Sequence, residues 1–119
     1  MGERRKTNRR FLLYSMRVYD AVTRKELGNL VDITPKGAMI VSEHPLPTGQ
    51  TTRLKMELSA EVAEKPFMEF SACSKWCKPD FGYSLHNTGF EILDIAPEDV
   101  KIVRHIVKEF GFRDNVPVT

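Results

Sequence analysis

The chain is poor in the residues that most chemistries require. It has two cysteines, Cys73 and Cys77, too few for a disulfide framework. Their C-x-x-x-C spacing is neither a zinc nor a redox spacing, and no histidine cluster accompanies it, so both read as ordinary thiols. On a strand they would point the same way, yet four residues apart they are too distant to bridge. Long apolar runs are also missing. Nothing approaches the roughly 18 residues that a membrane helix needs, and the charged N-terminus has no apolar segment behind it, unlike a secretory signal. A cytoplasmic location without membrane insertion is the expectation. Ser42, Ser59, Ser71 and Ser84 lie in no nucleophile motif, no glycine loop for phosphates is present, and His44, His86 and His105 are scattered along the chain. Neither catalysis nor a metal or other cofactor is therefore expected.

What is present fits one small globular domain. A chain of 119 residues, 41% hydrophobic and 29% charged, can build one core and is too apolar to be disordered. The net charge of +2 hides an asymmetry. The first ten residues hold five basic side chains and one acidic, while the remainder holds thirteen basic and fifteen acidic. This is a near-neutral body with a cationic arm. Such an arm suits an anionic partner such as phosphate, nucleic acid or acidic lipid, or serves as a solubilising tail.

Period-two patterning dominates after the arm. In FLLYSMRVYD, Leu12, Tyr14, Met16 and Val18 fall on one face; in ELGNLVDI, Leu27, Val31 and Ile33 do. Pro35 and Gly37 interrupt this strand before AMIVSE resumes it, and residues 45–50 are a dense turn signal. TTRLKMEL alternates with Leu54, Met56 and Leu58 inward, and FMEFSACSKWC places Met68, Phe70, Ala72 and Trp76 in phase. In YSLHNTGFEIL the phase slips at Thr88-Gly89, where a β-bulge would account for it. Only the end reads as helix, over 97–110. Pro97 suits the first turn, Glu98 and Asp99 the positive dipole end, and Gly111 the stop. Its stripe of Val100, Val103, Ile106, Val107 and Phe110 would pack on the body or serve dimerisation. The expected fold is mainly β: a small six-stranded antiparallel barrel over 11–112 with this C-terminal helix, a flexible arm at 1–10 and a tail at 113–119.

Two short constellations carry the functional signal. One is Arg5-x-x-x-Arg9. The other, beginning 23 residues after Arg9, is Asp32-x-Thr34-x-x-Gly37. Together, in this order and with a strand between them, they resemble the signature of the PilZ family, R-x-x-x-R followed by D/N-x-S-x-x-G. Trp76 late in a middle strand and the Gly89-Phe90 pair are similar to the family pattern too. The resemblance implies a β-barrel receptor for the second messenger cyclic di-GMP, with Arg4, Arg5, Arg9, Asp32, Thr34 and Gly37 as its binding residues. Thr34 departs from the usual serine: it keeps the hydroxyl but adds a methyl group near the ligand. Arg4 stands where, in this family, an arginine accompanies binding of a stacked pair of ligands.

The chemistry matches such a ligand. An arginine fork bonds phosphate oxygens or guanine O6 and N7, and a carboxylate accepts from the other guanine edge. Strand alternation puts Asp32 and Thr34 on one face, opposite Val31 and Ile33 in the core. Gly37 would allow either a positive φ or a close backbone approach. Without the pairing of motifs, Asp32 and Thr34 would read as a turn around Pro35 and the arginines as a solvated arm. The implied protein is a receptor whose arm closes over cyclic di-GMP, an order–disorder switch read by a protein partner. It would be a monomer or weak dimer. The competing readings are a PilZ-like interaction module that does not bind the nucleotide, and a small barrel binding single-stranded nucleic acid. The slightly acidic body speaks against the latter.

Overall fold

The structure, a computed structural model, describes residues 16–80 and 84–110. Six strands precede one helix: β1 (Arg17–Asp20), β2 (Glu26–Thr34), β3 (Gly37–Ser42), β4 (Thr51–Glu57), β5 (Phe67–Pro79), β6 (His86–Ile95) and α1 (Pro97–Phe110). All strand pairs are antiparallel, and the sheet closes as a barrel in the order β1-β2-β3-β6-β5-β4. The expected fold is the observed one. The expected arm at 1–10, with Leu12 and Tyr14 of the first strand and the tail at 113–119, lies outside the described residues.

The barrel is filled, not hollow. Val18, Leu30, Ile40, Leu54, Met56 and Phe70 are almost wholly buried and form one cluster, as inward side chains of a small barrel must. Val103 and Ile106 of α1 join the same cluster, with Ile102 and Val107 half-buried against it. Val103, Ile106 and Val107 of the helical stripe are thus engaged with the barrel. Glu98 and Asp99 occupy the first turn, and buried Asp99 is met by the ammonium of Lys65.

Two of the expected strand phases, those of β2 and β5, are corrected by bulges. In β2, Leu30 pairs with Ile40 but Asp32 with Met39, so Val31 is an extra residue. Leu30 and Ile33 point into the core, whereas Val31 is absent from the core cluster and lines an outer groove with Leu27, Met39 and Val41. Val31, though buried, therefore does not share a face with Ile33, while Leu27 packs half-buried against the core cluster. A second irregularity lies between β1 and β2: Val18 pairs with Gly28 and Tyr19 with Glu26, so Leu27 is the extra residue. In β5, Ser74 pairs with Phe90 and Trp76 with Gly89, which leaves Lys75 as the extra residue. Buried Ser74, not Trp76, continues the inward series of Met68, Phe70 and Ala72.

The slip expected within β6 at Thr88-Gly89 does not exist. Residues 86 to 91 pair in unbroken register with β3, and Thr88 is wholly buried on the face of Phe90. The irregularity belongs to β5, one strand over. It also separates the two thiols: Cys73 is aligned with exposed Glu91 and Cys77 with buried Thr88, so they do not share a face. Both are free.

Gly28 shows how closely β2 and β3 approach. A Cβ there would run into the Val41 carbonyl oxygen, a backbone atom held in the ladder. At Gly49 the backbone has φ 76° but nothing lies within 4 Å of a Cβ. Gly28→Ala should cost about 2–3 kcal/mol through overpacking, against about 1–2 kcal/mol for Gly49→Ala from left-handed strain alone. Urea unfolding of the two variants checks this; equal losses would remove close approach as the reason for Gly28.

Candidate functional site: an outer ledge on the barrel wall

The β2–β3 hairpin turn is built by side-chain hydrogen bonding. Thr34 Oγ1 accepts from the backbone N–H of Lys36 and of Gly37, each at 3.2 Å. Pro35 presets φ at the first turn position, and Thr34 pairs with Gly37 across the hairpin. The hydroxyl thus has a structural duty as well as facing outward, and its hydrogen is left to donate. Gly37 has no positive φ. Its reason is proximity: a Cβ would stand 2.9 Å from the Phe90 carbonyl oxygen, so glycine lets the turn lie flat on β6.

Asp32, half-buried, and Thr34, exposed, both face a shallow cavity of about 340 Å³ on the outer wall. Gly37 lies at its edge, and Lys75, Trp76 and Glu91 form its far side. The structure therefore brings Asp32, Thr34 and Gly37 together, as the motif requires. Arg4, Arg5 and Arg9 lie outside the described residues. Burial pushes the Asp32 carboxyl above its ordinary value, and the N–H that Ile33 donates at 2.9 Å offsets part of this. A carboxylate held partly out of water in this way favours a ligand that brings N–H donors.

Trp76 gives the ledge an aromatic floor. The indole lies across Gly89, and a Cβ there would run into the ring. It remains 39% exposed, and Lys78 Nζ stands 5.5 Å from the ring centroid. Lys36 and Lys75 add positive charge to the ledge, and Lys75 Nζ is 3.3 Å from Glu91 Oε1. Sequence reasoning placed Trp76 in the core and singled out neither Lys36, Lys75 nor Glu91. Strict alternation gives no sign of them, because the bulge at Lys75 is what turns this part of β5 outward. The three histidines do not gather here, and among the described residues no group of three or more His, Cys, Asp or Glu could hold a metal ion.

These features define a class: a small β-barrel domain whose polar site lies on its outer wall beside a hairpin turn, with the lumen closed by packing. The chain belongs to the PilZ domain family, whose model matches residues 3–109. This is a family of cyclic di-GMP receptor domains, receptors and adaptors rather than enzymes. Among solved structures, the chain is similar to the inhibitor of motility (MotI/DgrA) of Bacillus subtilis. The TM-score is 0.58 at 16% identity, over 78% of this chain and 44% of that one. The likeness is one of fold, and the chain spans less than half the length of that protein. No curated protein matches. No helix among the described residues is long and apolar enough to cross a membrane.

Two outcomes follow from this geometry. Gly89→Ala should displace the indole of Trp76, the chain's one tryptophan, and red-shift its fluorescence emission; an unchanged spectrum would contradict the contact. Asp32→Asn should raise the thermal midpoint at pH 7. A carboxyl whose pKa is raised by folding stabilises the fold when protonated, and this is lost as pH rises through its folded-state pKa. The advantage of the amide should therefore vanish as pH falls below the ordinary carboxyl value of 3.8. A pH-independent difference would rule out desolvation of Asp32 as the cause.

Proposed function

We propose that the protein is a receptor for cyclic di-GMP that changes its surface when the ligand binds and passes the signal to a protein partner. The observation that carries this reading is the convergence of Asp32, Thr34, Gly37 and Trp76 on one outer ledge, in a chain whose first residues supply Arg5-x-x-x-Arg9. Asp32 accepts from the N–H groups of a guanine edge, and the Thr34 hydroxyl donates to the ligand. Trp76 offers a flat face for a base. Arg5 and Arg9 supply forks for phosphate or for guanine O6 and N7. Arg4 assists a second, stacked ligand. Contact of the cationic arm with a ligand on the ledge gives the barrel a new surface there, and that surface is the output.

Calorimetric titration with cyclic di-GMP tests the proposal, with GTP, GMP and single-stranded RNA as competitors. Binding should be selective for the cyclic dinucleotide. Arg5→Ala, Arg9→Ala and Asp32→Ala should each cost about 1–3 kcal/mol, roughly a five- to 150-fold loss of affinity. Arg10→Ala removes the same charge outside the motif and should matter little, while Arg4→Ala should lower the stoichiometry from two towards one. If RNA outcompetes the dinucleotide at physiological salt, the barrel is a nucleic-acid binder and the receptor reading fails.

A further inference from the structure

We propose that Glu91 is a built-in competitor for the ligand: it holds Lys75 when the ledge is empty, and so sets the affinity of the site. The inference rests on the cyclic di-GMP reading and deepens it by naming how the same ledge is tuned. Glu91 is aligned with Gly37 on one side and with Cys73 on the other. Its side chain thus stands outward beside the turn in which Thr34 Oγ1 receives the Lys36 and Gly37 N–H groups. An acidic group at the edge of a ledge meant for a phosphodiester is the wrong charge for binding. Its position has a reason once its partner is considered.

Lys75 is the extra residue of the β5 bulge and lines the same cavity as Asp32. Its ammonium lies 3.3 Å from the Glu91 carboxylate, with the two side chains 55% and 52% exposed. An ion pair so exposed contributes at most about 1 kcal/mol, so it breaks readily when a better anion arrives. A phosphate oxygen is such an anion. Lys75 turns from Glu91 to the phosphate, and the freed, half-exposed carboxylate is taken up by water. The pair therefore keeps the ledge near-neutral when empty and lowers affinity for every anion that enters.

The experiment is a double-mutant cycle by calorimetric titration with cyclic di-GMP, on the full chain and at low salt, using Glu91→Gln, Lys75→Gln and both together. Glu69→Gln is the control: Glu69 has a similar partner, Arg53 at 3.3 Å, and similar exposure, but belongs to the β4–β5 wall outside the ledge. Glu91→Gln is expected to tighten binding about fivefold, the ratio equivalent to about 1 kcal/mol. Most of that gain should vanish in the Lys75→Gln background, and Glu69→Gln should change nothing. A gain undiminished without Lys75 overturns the competition, because Glu91 would then act as bare charge. Binding by the wild type with no gain from Glu91→Gln overturns it too and leaves the receptor reading intact. Binding by Glu91→Gln alone supports it. No binding by either protein defeats the receptor reading, and the competition falls with it.

Discussion

A single extra residue in a strand reverses the facing of everything beyond it, and this barrel uses that constraint twice. Side chains on a regular strand alternate, so with Leu30 inward Asp32 would also point into the core. Val31 takes up one position without a partner, and Asp32 and Thr34 turn outward while Ile33 fills the interior. Lys75 does the same in β5: Ser74 stays inside and Trp76 emerges. β3 and β6 lie between these strands in the barrel and run in unbroken register with each other, so both bulges open onto one ledge. A carboxylate buried among Ile40 and Phe70 would have nothing to accept from and would cost several kcal/mol. The bulges resolve the conflict between filling a small lumen and presenting a site.

The ledge owes its shape to two close approaches. Gly37 lets the turn lie against the Phe90 carbonyl, and Gly89 lets the indole of Trp76 lie across β6. Neither glycine is there for a left-handed backbone, since neither has positive φ. Between them the Thr34 hydroxyl fixes the turn by accepting two backbone N–H groups. The residue that departs from the family's serine thus keeps the hydroxyl needed for the turn, and its additional methyl group is what distinguishes the site.

Much of the fold was legible in the sequence because alternation is a local signal. Leu54, Met56, Met68, Phe70 and Ala72 lie inside as their spacing predicts, and Pro97 with Glu98 and Asp99 marks the start of α1. The failures share one cause. Thr88 and Ser74 are polar yet buried, Val31 is buried apart from the core cluster, and Trp76 is apolar yet exposed, so hydrophobicity misreports the facing wherever a bulge intervenes. Because Phe90 and Thr88 are in register with β3, the slip seen in β6 was in truth a property of its neighbour. Asp32, Thr34 and Gly37 were found by motif, since the turn keeps them adjacent in sequence. Lys75, Trp76 and Glu91 come to the ledge only through strand pairing, which composition and spacing do not encode.

The shortest stave of the barrel is β1. Its four residues pair with β2 on one side and β4 on the other, so the closed sheet depends on a segment with few hydrogen bonds of its own. In the sequence, Arg9 precedes this stave by eight residues. Under the proposed receptor reading, a ligand that ties Arg5 and Arg9 to the ledge would also hold this stave in place, so occupancy outside the barrel would slow the parting of the whole cylinder.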